Sequence, residues 1–191
     1  MYHVPKLTVR FTPEVTLMLV RNLAVALIAM CPFLASQTTS QPAQPAPQVG
    51  QPAPDFILSD STGSPVKLSV YKGKVVLLDF WATWCTGCKV EIPWYVDFQN
   101  KYRNDGLAAI GVSLDDDGWK SVKPFLEEHK LNYPVVIANQ DLTTRYGGLP
   151  SLPMTLLIDR AGKIAESHAG MVDKDAFEDK IKTLLRQSSA K

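Results

Sequence analysis

The stretch from Val75 to Cys88 limits the fold more than any other part of the chain. Val75-Val76-Leu77-Leu78-Asp79-Phe80 is an almost unbroken apolar run, the pattern of a strand buried on both faces and hence central to a sheet. Trp84-Cys85-Thr86-Gly87-Cys88 follows it directly, and the residues from Cys85 onward read as a helix. A kink is expected at Pro93, because proline removes an amide donor. A buried strand that feeds at once into a helix opens an α/β unit. Two cysteines spaced by two residues at that junction can close a small disulfide loop around the first helical turn.

The junction also sets the chemistry. Unpaired amides and the positive dipole end at a helix N-terminus favour thiolate over thiol at Cys85. Cys88, one turn deeper, is then the resolving thiol. Attack on a partner disulfide gives a mixed disulfide that resolves by intramolecular exchange. The competing readings are a static disulfide or half of a zinc site. Cys31, Cys85 and Cys88 are the only cysteines, too few for four thiolate ligands, and His3, His129 and His168 lie far from the pair in sequence.

Periodicity supplies the remaining elements. Phe56-Ile57-Leu58 and Val66-Lys67-Leu68 flank Ser61-Thr62-Gly63-Ser64 and read as a hairpin. Leu107–Ser113 is a second strand, followed by Asp115-Asp116-Asp117-Gly118, which lacks EF-hand ligand spacing and is expected to be a solvated acidic loop. A helix is predicted over Trp119–His129, with Val122, Phe125 and Leu126 on one face. Val135–Ile137 reads as a strand and Asp141–Tyr146 as a short helix. Met154–Ile158 and Ile164–His168 pair across a turn containing Gly162. A last helix from about Asp173 carries an apolar stripe of Ala176, Phe177, Ile181, Leu184 and Leu185.

Residues 1–35 hold three basic side chains and one acidic one, so the net charge of +1 becomes −1 without them. No basic binding face remains to suggest nucleic acid. Leu23–Ala35 is apolar and 13 residues long, short for a bilayer span but suited to a signal core. A start at Met18 would place Arg21 just ahead of that core. Residues 1–35 are therefore expected to be a signal peptide or signal anchor. Residues 36–50, rich in Gln, Pro and Ala, read as a flexible linker, and residues 51–191 as one folded domain.

The run from Val75 through Trp84-Cys85-Thr86-Gly87-Cys88-Lys89-Val90-Glu91-Ile92-Pro93 resembles the active-site stretch of thioredoxin-like proteins. The trailing Glu91-Ile92-Pro93 and the preceding strand pair resemble the TlpA/ResA branch of exported redoxins. The likeness covers about Gln51 to Leu185. It implies an α/β, three-layer fold: a four-stranded mixed core sheet, helices on both faces and an added N-terminal strand or hairpin. It also implies a cis bond before Pro153, facing the cysteines and letting the Leu152 backbone pair with substrate; Pro150 has the wrong spacing. Asp79, buried at a strand end, would have a raised pKa and assist deprotonation of the inner cysteine. Glu91, one turn beyond Cys88, would tune the thiols and move protons, and the two acids would titrate together. Trp84 matches a surface tryptophan that meets partners beside Thr86 and Gly87, while Trp81, Trp94 and Trp119 read as packing residues.

Such a resemblance implies thiol–disulfide exchange on exported proteins, with electrons received from a membrane thiol-relay reductase. Oxidised cysteine pairs of apocytochrome c or of metallochaperones would be the substrates. The chain would sit in the periplasm or another extracytoplasmic space, exported or tethered to the membrane. No organic cofactor or metal is called for, because the two sulfurs carry the electrons. A thiol-dependent peroxidase is disfavoured, since Leu78 and Ala82 stand where a Pro-x-x-x-Thr/Ser-x-x-Cys arrangement needs Pro and Thr or Ser. A Cu(I)-binding assembly protein would find no Met-rich or His-rich segment beside the cysteines.

Overall fold

The computed structural model describes residues 47–187. The signal segment, the Met18 start, Cys31 and most of the linker lie outside the described residues. Among those described, no helix is long and apolar enough to cross a membrane.

Strands β1 (Ile57–Ser59) and β2 (Pro65–Lys67) form an antiparallel two-stranded sheet of their own. Strand β3 (Val75–Trp81) leads into helix α1 (Thr86–Tyr102), then β4 (Leu107–Ser113) and α2 (Trp119–His129). Strand β5 (Val135–Ile137), the short helix α3 (Gln140–Arg145), β6 (Met154–Ile158), β7 (Ile164–Ala169) and α4 (Lys174–Arg186) complete the order. The main sheet runs β5-β4-β3-β6-β7. Strands β3, β4 and β5 are mutually parallel, whereas β6 is antiparallel to β3 and β7 to β6. This is the thioredoxin-like three-layer arrangement, with β5 as a fifth strand at the edge of the expected four.

All seven residues of β3 are buried, as its apolar composition requires of a middle strand covered on both sides. One face, with Val75, Leu77 and Trp81, packs on Ile92, Tyr95 and Phe98 of α1, Val122 and Phe125 of α2, and Phe177 and Ile181 of α4. The other face, with Val76, Leu78 and Phe80, is covered by Phe56, Val66 and Leu68 of the hairpin region and by Leu142 and Tyr146 at α3. The second layer is therefore completed by the hairpin rather than by long helices.

Helix α1 carries Pro93 within it and runs to Tyr102. Two local expectations are corrected. Asp115 is buried, not solvated: it accepts hydrogen bonds from the Thr83 amide (3.0 Å), the Thr83 hydroxyl (2.6 Å) and the Ser113 hydroxyl (2.8 Å). Only Asp116 and Asp117 of that run face solvent. Ala176 is exposed, and the buried neighbour of Phe177 is Glu178. Its carboxylate accepts from Lys101 Nζ (2.7 Å) and Tyr102 Oη (2.6 Å), joining α4 to the end of α1.

Candidate active site

Strand β3 ends at Trp81 and the chain reaches α1 in four residues, so the cysteine pair sits at the edge of the middle strand. Asp115, beyond the end of parallel β4, grips Thr83 midway along that passage. Cys85 is the N-cap of α1, and its Sγ accepts the Cys88 amide at 3.2 Å. That is one of the free donors at a helix N-terminus, here pointed at sulfur, and it stabilises negative charge there. Cys85 and Cys88 are joined in a disulfide, with 5.3 Å between their Cα atoms. Cys85 retains 6% exposure and Cys88 only 1%, so an attacking thiolate meets Cys85 first.

The only cis bond among the described residues is Leu152–Pro153. Its ring reaches the cysteine loop: a Cβ added at Gly87 would lie 3.1 Å from Pro153 Cδ and 3.1 Å from Met171 Cγ. Gly87 thus opens the space in which Pro153 and Met171 close over the first turn of α1. Trp84 is 67% exposed and Thr86 is also at the surface. Leu152 is half-buried, and its backbone groups make no hydrogen bond among the described residues. Trp81 is fully buried against Phe125, while Trp94 and Trp119 pack at the margin of the same core.

Two buried acids lie in the same half of the molecule as α1 and β3. Glu91, one turn along α1 from Cys88, is fully buried. Its Oε1 accepts the Val172 amide at 2.5 Å and its Oε2 the Tyr95 hydroxyl at 3.1 Å. Burial raises its carboxyl above the usual range, opposed by the Val172 amide, the Tyr95 hydroxyl and the charge of His168. Asp79 projects from β3 beside its register partner Thr155 on β6 and opposite Gly111 on β4. Its Oδ1 accepts from Thr155 Oγ1 at 3.4 Å, and its Oδ2 has no partner. Burial pushes this carboxyl well above the ordinary range, the Glu91 charge adds to the rise, and the Thr155 hydroxyl opposes it. Tyr95 Oη and Thr155 Oγ1 lie 2.9 Å apart.

Of the residues singled out from the sequence, Gly87 in the Cys85–Cys88 loop lies against Pro153, Glu91 stands one helical turn from Cys88, and Asp79 is linked to Glu91 through Thr155 and Tyr95; Trp84 and Thr86 are exposed and Leu152 is half-buried. Tyr95, Thr155, Met171, Val172 and Asp115 were missed as site residues. Tyr95 carries a faint sequence signal, falling four residues after Glu91 and so on the same helix face. The others approach only through tertiary packing. No group of three or more His, Cys, Asp or Glu side chains among the described residues could hold a metal ion.

Comparison with known proteins agrees with this geometry. Residues 49–167 match the model of the AhpC/TSA family. The chain is 36% identical over 138 residues to the thiol-disulfide oxidoreductase ResA of Bacillus anthracis, covering 72% of this chain and 79% of ResA. ResA of Geobacillus thermodenitrificans is 35% identical over 136 residues, 71% of this chain and 78% of its own. Among solved structures, a Chlorobium tepidum protein provisionally assigned as the thiol:disulfide interchange protein DsbE shares 37% identity. It superposes with a TM-score of 0.68 over 73% of this chain and 99% of its own. The exposed lipoprotein thioredoxin Etrx1 of Streptococcus pneumoniae shares 30% identity and a TM-score of 0.60, over 69% of this chain and all of its own. With a Cys85–Cys88 disulfide on a thioredoxin-like sheet and these matches, the chain belongs to the AhpC/TSA family within the thioredoxin-like superfamily, resembles the ResA/DsbE/TlpA-type redoxins, and is an oxidoreductase.

Proposed function

We propose that the protein is an exported reductase of disulfides in other exported proteins, serving cytochrome c maturation or the assembly of respiratory metalloproteins. The observation that carries this reading is the asymmetry of the pair. Cys85 is the more exposed sulfur and caps a helix, while Cys88 is sealed beneath it. In the reduced protein, Cys85 thiolate attacks a substrate disulfide, forming Cys85–S–S–R and releasing one substrate thiolate. Cys88 then attacks Cys85, the Cys85–R bond breaks, and the second substrate sulfur leaves with the electron pair. The proton from Cys88 goes to a carboxylate of the Glu91/Asp79 pair. A membrane thiol-relay reductase returns two electrons and one proton to the Cys85–Cys88 disulfide, restoring the Cys85 thiolate and the Cys88 thiol.

Substrate docks across the rim. The unpaired Leu152 backbone before cis-Pro153 supports pairing with an extended segment of the partner, and Trp84, Thr86 and Gly87 supply the facing contacts. Residues 1–35 act as signal or anchor, with Met18 as the start, and residues 36–50 link them to the domain at 51–191. Hydrogen bonds of the Gly50 amide to Ile164 (2.7 Å) and of the Ile164 amide to Gln51 (2.9 Å) support that boundary. The relatives described as a thiol-disulfide oxidoreductase and a thiol:disulfide interchange protein support the exchange chemistry, and the likeness to an exposed lipoprotein thioredoxin supports an extracytoplasmic location.

The test is a trap. Cys88→Ser leaves Cys85 unable to resolve, so mixed disulfides should accumulate, and mass spectrometry should recover apocytochrome c or a metallochaperone. Recovery of unrelated folding substrates would move the assignment to general disulfide repair. No mixed disulfide, together with retained Cu(I) or rapid peroxide consumption, would overturn it.

A further inference from the structure

Four buried side chains make a continuous polar line through an otherwise apolar layer: Glu91 Oε2, Tyr95 Oη, Thr155 Oγ1 and Asp79 Oδ1, separated by 3.1, 2.9 and 3.4 Å. All four residues are at most 1% exposed. The line passes from α1 to the sheet, because Tyr95 lies one turn beyond Glu91 and Thr155 is the register partner of Asp79.

Hydrogens can be counted along it. Three oxygen–oxygen contacts need three hydrogens, and the two hydroxyls own one each. With both carboxylates ionised, Tyr95 donates to Glu91 and Thr155 to Asp79, and the central 2.9 Å contact has lone pairs facing lone pairs. With both protonated, one hydrogen is in excess. Only one proton on one carboxyl makes every contact a hydrogen bond. If it sits on Asp79, Asp79 donates to Thr155, Thr155 to Tyr95 and Tyr95 to Glu91. If it sits on Glu91, every bond reverses. Buried polar groups are rarely left without partners, so the geometry selects the two one-proton states.

We propose that Tyr95 and Thr155 are positioning residues that bind Glu91 and Asp79 into a pair holding a single shared proton. Moving each of the three hydrogens across its own contact carries the acid proton from one end to the other and reverses every bond, so either carboxyl can be the ionised one while the pair bears one negative charge instead of two. When Cys88 attacks Cys85, its thiol proton passes to the ionised end and the pair hands a proton on to the departing substrate thiolate, so the pair holds one proton before and after the exchange. This rests on the exchange chemistry proposed above. The groups facing the pair are Cys88 on α1, His168 on β7, whose charge reaches Glu91, and the buried Tyr133, which senses Asp79. No lysine or arginine bonds to either carboxyl among the described residues.

The test pairs infrared titration of the carboxylic acid C=O band with the pH profile of exchange, in the full chain. The parent should hold one protonated buried carboxyl per molecule at neutral pH, its band perturbed by either Asp79→Asn or Glu91→Gln. Tyr95→Phe and Thr155→Val each remove a hydroxyl at nearly constant volume. Each should uncouple the two acids and move the midpoint of the rate profile by about one pH unit or more. Thr155→Ser keeps the hydroxyl and should keep the parent's profile. Parent-like bands and midpoints in Tyr95→Phe and Thr155→Val, or no protonated carboxyl in the parent at neutral pH, would overturn the shared proton. A parent that performs no exchange sinks the functional reading instead, while the infrared count still decides the pair.

Discussion

Asp79 costs the fold stability in a pH-dependent way. Between the ordinary carboxylate range and its raised value, the folded protein keeps a proton that the unfolded chain has lost. Stability therefore falls as pH rises across that window. Asp79→Asn removes the ionisation and should be more stable than the parent at pH 8, by on the order of 1–3 kcal/mol. The advantage should vanish near pH 3, where the unfolded carboxyl is itself largely protonated. Urea denaturation across that range checks it, and equal slopes with pH would contradict the buried acid. Asp79 and Glu91 were legible in the sequence because each stands at a fixed step from the cysteines, one in an apolar strand and one a helical turn away. Tyr95 and Thr155 were not. Their hydroxyls acquire a function only where α1 crosses β6, and no local pattern records which polar side chains will meet there.

At the level of elements, hydrophobic period decided most of what could be foreseen. Strand β4, buried along its whole length, and helix α2 fall on the residues where the sequence placed a strand and a helix. It failed where a polar group was recruited inward. Asp115 sits in a run of three acids that reads as solvent-facing, yet it ties the end of β4 to the passage between β3 and α1. Asp115→Ala should destabilise the protein by about 1.5–3 kcal/mol, the worth of hydrogen bonds to a charged acceptor. Hydrogen exchange at the Thr83 amide should accelerate more than at the β6 amides. Uniform acceleration would mean that Asp115 serves the fold generally rather than the approach to Cys85. Glu178 makes the same point on α4, where Lys101 and Tyr102 supply the partners that admit a carboxylate to the buried face.

Across the whole molecule, residues 47–187 contain both layers, the sheet and every group of the site. A chain beginning at residue 47 should therefore fold and exchange disulfides with a small dithiol at the parent's rate. A chain beginning at residue 56 loses the bonds of Gly50 and Gln51 to Ile164, of Ala53 to Gly162, and of Tyr146 Oη to Pro54. Its thermal midpoint should drop, by a measure that calorimetry gives directly; an unchanged midpoint would show that this segment adds nothing. The way the first described residues run beside β7 was not legible in the sequence, because those bonds are between backbones and carry no side-chain signature. The close seating of Met171 and Pro153 over Gly87 has its own implication for evolution and engineering. A side chain at position 87 would press on residue 171 and on the Pro153 ring alike, so the dipeptide between the cysteines is not an interchangeable cassette: a bulkier pair borrowed from a relative is accepted only as far as Met171 and Pro153 give way together.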